Sequence, residues 1–89
     1  MKFIHSDLGI ISGGSTAVAR LSGTEANVKL LDDANFARYK RGDQHTYYGG
    51  HYKQSPVHIP VPSTGRWNVA VDLGGYGGQI NASISVIEP

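Results

Sequence analysis

A small all-β sandwich, jelly-roll-like, with six to eight short antiparallel strands and one short helical turn near residues 33–41, is the fold this sequence predicts. Three observations carry that expectation. Apolar and polar residues alternate in several short runs, the period of a strand with one buried face. Glycine occupies 12 of 89 positions, scattered between those runs, as tight turns between short strands require. Only one stretch carries the start and stop signals of a helix, and it is short. Residues 1–89 read as one domain, with no linker, repeat or low-complexity stretch. A chain of this size buries roughly 60–65% of the surface its unfolded form exposes, so its core is thin.

Phe3 and Ile4 suggest a short opening strand, and Gly13-Gly14 punctuates the chain beyond it. Thr16 to Leu21 reads as a strand with Ala17, Ala19 and Leu21 on one face. Ser22-Gly23-Thr24 turns the chain into Asn27–Leu31, where Val28 and Leu30 point inward. Asp32 or Asp33 is placed to cap a helix over Ala34–Arg41, with Gly42 ending it. Phe36 and Tyr39, three apart, would share one side of that helix; a loop with a single helical turn is the alternative. Val57, Ile59 and Val61 face inward from a strand in which Pro60 removes a ladder donor, which suits a sheet edge. Pro62-Ser63-Thr64-Gly65 turns into the clearest strand of the chain, Arg66–Leu73. Trp67, Val69, Val71 and Leu73 line its inner face, and Arg66, Asn68, Ala70 and Asp72 are expected to face water. Ile80–Val86 repeats the alternation with Ile80, Ala82, Ile84 and Val86 inward. Gly74-Gly75-Tyr76-Gly77-Gly78 lies between these two strands, and the pair is expected to form a C-terminal β-hairpin.

The absence of cysteine excludes disulfides and thiolate metal sites, and a reducing, cytoplasmic setting is the simpler expectation. The opening Met-Lys-Phe-Ile-His-Ser-Asp is interrupted by polar residues and is not expected to act as a signal peptide. No run approaches the roughly 20 apolar residues of a membrane span, so no membrane association is expected. A net charge of +1 supplies no global field toward nucleic acid, which argues against that partner.

Chemistry is concentrated in one segment, Arg38 to Lys53. It interleaves Arg38, Lys40, Arg41 and Lys53 with Tyr39, Tyr47, Tyr48 and Tyr52, and it holds His45 and His51. Cationic and aromatic side chains together suit phosphate or carboxylate recognition with stacking on a ring. The candidate ligand-binding set is therefore Arg38, Tyr39, Arg41, His45, Tyr47, Tyr48 and His51, joined by Arg66 and by Tyr76 at the tip of the glycine-rich loop. The competing reading is a solvated loop whose tyrosines cover a thin core. The four histidines, His5, His45, His51 and His58, form no H-x-H or H-x-x-x-H pair, and no metal site is expected. Asp32-Asp33-x-Asn35 lacks the central glycine and terminal glutamate of a calcium loop, so a helix cap is the better reading. The glycine-rich loop precedes a strand rather than a helix, unlike a phosphate-binding loop. Asp72 reads as a member of a surface ion pair with Arg66 nearby. No nucleophile elbow or ordered triad is visible; neither catalysis nor a cofactor is expected.

A further set of motifs resembles a known family. Leu21-Ser22-Gly23-Thr24-Glu25-Ala26-Asn27-Val28-Lys29-Leu30-Leu31-Asp32 continues through Asn35-Phe36 and Tyr39-Lys40-Arg41-Gly42 to Tyr47-Tyr48-Gly49-Gly50-His51. With Ser55-Pro56-Val57, Thr64-Gly65-Arg66-Trp67, Val71-Asp72-Leu73-Gly74-Gly75 and the opening Met1-Lys2-Phe3, His5 and Asp7-Leu8-Gly9, it resembles the bacterial domain-of-unknown-function family 1883 over essentially the whole chain. The resemblance implies a small bacterial protein, in some members beside a Toll/interleukin-receptor domain, and carries over no catalytic or binding residues. Asp43 and Gln44 stand where that family's pattern is more basic. The functional expectation is a sensing or regulatory binding module for a protein, a small anionic ligand or a glycan. An oligomeric scaffold is the first alternative, since edge strands in a thin sandwich invite pairing into homo-oligomers, and a nucleic-acid or anionic-ligand binder or a small enzyme ranks after it.

Overall fold

The computed structural model describes residues 2–23, 25–75 and 77–89. Seven strands and one helix run in the order β1 (Phe3–Ile11), β2 (Thr16–Gly23), β3 (Ala26–Asp32), α1 (Asp33–Arg41), β4 (Tyr48–Tyr52), β5 (Val57–Pro60), β6 (Gly65–Asp72) and β7 (Ile80–Ile87). They form two antiparallel sheets, one ordered β1-β6-β3-β4 and the other β5-β2-β7. The chain passes from one sheet to the other at every connection except β3–α1–β4, which gives the two-sheet roll its crossovers.

Alternation places the core as expected. Val28 and Leu30 of β3 and Trp67, Val69 and Val71 of β6 meet Ala17, Ala19, Val57, Ile59 and Val61 from the second sheet. Ile80, Ala82 and Ile84 pack against this cluster from β7, an outer strand, and are only half-buried there. Pro60 closes β5, which is indeed a sheet edge.

Two expectations fail. Strands β6 and β7 do not form a hairpin, because they belong to different sheets; β7 pairs with β2 from Thr16↔Ile87 to Gly23↔Ile80. Alternation identifies which face of a strand is apolar but not which strand lies beside it. The second failure concerns the other face of β6. Asn68, Ala70 and Asp72 are buried rather than facing water. Helix α1 covers that face, and Leu31, Phe36, Tyr39 and Ala70 form a second apolar cluster with Phe3 packed against it. The first sheet is thus covered on both sides at its centre.

The helix forms where its caps predict. Asp32 accepts from the Asn35 backbone N–H at 2.8 Å. At the other end Gly42 takes the left-handed conformation (φ 79°), its N–H donates to the Tyr39 carbonyl, and Asp43 N–H donates to the Arg38 carbonyl. This is a Schellman ending, and Arg38, Lys40 and Arg41 in the last turn complement the helix dipole. Nine residues hold no stable helix alone; the ring contacts below α1 hold this one. Phe36 lies edge-on to Phe3 at 5.9 Å and stacks on His5 at 4.0 Å, and Tyr39 meets Phe3 at 5.1 Å.

Candidate functional site

Pairing across the first sheet aligns its helix-side residues into rows. One row runs Phe3, Asp72, Asn27, His51 through β1, β6, β3 and β4; the next runs His5, Ala70, Lys29, Gly49. The polar members of the first row form a hydrogen-bonded chain. His51 Nδ1 lies 3.1 Å from Asn27 Oδ1, and Asn27 Nδ2 donates to Asp72 Oδ1 at 2.9 Å. Tyr39 reaches down from α1 and donates its hydroxyl to Asp72 Oδ2 at 2.6 Å, and Gly74 N–H donates to Asp72 Oδ1. At the outer end of the row His51 Nε2 sits 3.1 Å from the Glu25 carboxylate.

Asp72 is therefore not a surface ion-pair residue. Its side chain is buried beneath α1 and served by three donors. Burial alone would raise its pKa. The donors Asn27, Tyr39 and Gly74, with the nearby charge of Lys29, outweigh burial and hold the carboxyl below its ordinary range. Tyr39 shifts upward, through burial first and then through its bond to Asp72, so its hydroxyl stays protonated.

Lys29 is not among the predicted site residues, yet three of those gather around it. Its ammonium lies 5.1 Å from the Tyr39 ring centre and 4.6 Å from that of Tyr47, and 3.2 Å from His45 Nε2. His45 Nδ1 faces the Asp43 carbonyl at 2.9 Å. A carbonyl only accepts, so Nδ1 carries the proton and Nε2 accepts from Lys29. These contacts tie the 42–47 segment to the sheet. Thr46 N–H adds a bond to Asn35 Oδ1 at 2.8 Å.

The remaining predicted residues scatter. Tyr48, next in sequence to Tyr47, points to the opposite face of the sheet, as alternation requires, and meets the edge of Trp67 at 6.0 Å. Tyr48 and Arg66 flank a polar groove of about 350 Å³ that Asn35, Thr46 and Trp67 also line. Arg66 is engaged by Asp33 at 3.0 Å and by Asp7 at 3.4 Å. The Asp33 carboxyl is held low by hydrogen bonds from Asn68 and then from Arg66. Arg41 pairs with Asp43 at 2.9 Å, and Arg38 is exposed on the last turn of α1. Tyr76 lies outside the described residues. Beside the glycine-rich loop a cavity of about 670 Å³ opens between Phe3, Ile4, Leu73, Gln79 and Ile80.

What these residues frame together is strand β4. It is the outer strand of its sheet, paired to β3 on one side only. Tyr47 and Tyr48, at its entry, are the exposed aromatic residues of the described chain, at 41% and 46%. Lys53 comes directly after it. No proline, lysine, arginine, aspartate or glutamate lies within Tyr48–Tyr52 to block a further strand. Of the other edges, Pro60 closes β5 and a register shift between Asp7 and Gly9 interrupts β1; β7 is likewise free of proline and charge, but it presents Asn81, Ser83 and Ser85 outward and no aromatic side chain.

Over its full length, residues 1–89, the chain matches the family described as a domain of unknown function (DUF1883), and it belongs to that family. No curated protein and no solved structure is detectably similar to it.

Proposed function

We propose that this member of the domain-of-unknown-function family 1883 is a protein-interaction module that takes up an extended segment of a partner along β4. One observation carries the reading: an unguarded edge strand is flanked by exposed tyrosines on both faces of its sheet. Unpaired backbone groups of an edge supply hydrogen bonds for an added strand, and alternate side-chain contacts supply specificity. Tyrosine is among the side chains that carry most binding energy at interfaces. Lys29, His45 and Asp43 brace Tyr47, so it is presented in one orientation and little ordering remains to oppose binding. The Asp72 chain supports the same reading. Its carboxylate accepts from three donors and braces the strands beneath α1, a scaffold for the edge.

Panning a phage-displayed library of random extended peptides on the chain tests this. Captured peptides are expected to change the backbone NMR signals of residues 48–52 and their neighbours on β3. Binding that leaves these signals unmoved and shifts those of the 350 Å³ groove or the 670 Å³ cavity contradicts the strand-addition reading.

A further inference from the structure

Strand β4 reads Tyr48-Gly49-Gly50-His51-Tyr52, nearly the same from either end. Its even-numbered residues pair with Leu30, Val28 and Ala26 and so face the core side; Gly49 and His51 share the helix side with Lys29 and Asn27. We propose that the strand filling this edge is β4 of a second copy, running antiparallel about a twofold axis at Gly50. The proposal rests on the strand-addition reading and names its occupant.

A sheet continuing across such an axis keeps both cores on one side, so even-numbered residues must face even-numbered ones. The register centred on Gly50 satisfies this and pairs all five residues of the strand. Tyr48 then faces Tyr52 of the second copy, which gives an aromatic cross-strand pair on the core side. His51 faces Gly49 of the second copy, so a ring meets a position with no side chain. One residue beyond each end, where the chain bends away after Tyr52, Tyr47 comes near Lys53 of the second copy, a cation beside an aromatic ring. Lys53 is the sole acidic or basic residue between 47 and 53 apart from His51, so no Lys, Arg, Asp or Glu meets its like. Helix α1 packs chiefly over β3 and β6, the inner strands of the sheet. The edge is self-complementary, as a twofold interface requires.

Gly50 is the position to perturb. A Cβ there meets nothing within 4 Å, and Gly50 is not among the glycines with positive φ, so a side chain is compatible with the folded chain. Two Gly50 side chains would lie directly opposite each other across the axis. Light scattering on the full chain at millimolar concentration is expected to give twice the 9.5 kDa of one copy. Gly50→Lys alone and Gly50→Glu alone are expected to be monomeric, and an equimolar mixture to regain the dimer. The chain has no cysteine, so Gly50→Cys is a clean second probe. Opposite residues in antiparallel strands lie within disulfide reach, and oxidation is expected to link the two copies. A monomeric wild type, variants that remain dimers, a mixture that regains nothing, or a Gly50→Cys chain that does not cross-link overturns the proposal. A monomeric wild type that still captures peptides on β4 removes the second copy as occupant and leaves the strand-addition reading standing; loss of both removes both.

Discussion

Replacing Tyr39 by Phe deletes one oxygen atom from beneath α1 and leaves the ring in place. The hydroxyl donates to Asp72 at 2.6 Å, and both side chains are buried. A hydrogen bond to a charged group contributes about 1.5–3 kcal/mol, and no water reaches this carboxylate easily to replace it. The variant should therefore lose about 1.5–3 kcal/mol at neutral pH. In a domain of this size that lowers the melting temperature by about 6 °C or more. Urea titration measures it: the midpoint falls while the slope stays constant, because the surface exposed on unfolding is unchanged. The pH dependence adds a second check. Asp72 has a depressed folded-state pKa, so its stabilisation is fully present above the ordinary carboxyl value and is lost as pH falls through the folded value. Without the Tyr39 donor the depression is smaller. The difference between the two proteins should hold steady near neutrality and shrink once pH falls below about 4. A loss under about 0.5 kcal/mol, or a loss that persists unchanged into acid, refutes the assigned role of Asp72.

Gly49→Ala should destabilise the chain by about 1–3 kcal/mol, since Gly49 has φ +123° and its Cβ would run into the Val28 carbonyl oxygen; thermal unfolding beside Gly50→Ala, where a Cβ meets open space, separates this clash from a general intolerance of side chains on β4. Asp32→Ala removes the oxygen that accepts from Asn35 N–H and should cost about 1 kcal/mol, whereas Asp32→Asn should retain most of the cap; urea midpoints of the two variants decide it.

The strand faces, the helix and its caps were legible in the sequence because each is local. Alternation is set by the pleat, and Asp32 and Gly42 do their work within one turn of where they stand. The partner of β7 was not legible, because an apolar stripe fits either sheet. The burial of Asn68, Ala70 and Asp72 was hidden for a related reason: a polar face reads as solvent-facing unless something is known to cover it. The clue was present in Phe36 and Tyr39. Two aromatic residues on one side of a short helix need a surface to rest on, and Tyr39 is buried on it instead of standing in a ligand patch. Lys29 gives no signal because a lone lysine in a strand is an ordinary outward residue. Only folding brings Tyr39, His45 and Tyr47 around it. Tyr47 and Tyr48 are adjacent in sequence, and the pleat sends them to opposite faces, where they frame an edge rather than line one pocket.

Residue-resolved hydrogen exchange of Tyr48–Tyr52 over a dilution series tests the open edge most directly. In antiparallel pairing, alternate residues of β4 turn their amides toward β3, and the others face away. In dilute solution the amides facing away should exchange rapidly while those facing β3 stay protected. At high concentration the fast ones should gain protection together, as a second strand pairs with them. Outward amides that are already protected in the dilute monomer, or that stay fast under every condition in which the chain is bound, contradict an open β4 edge that takes up a strand.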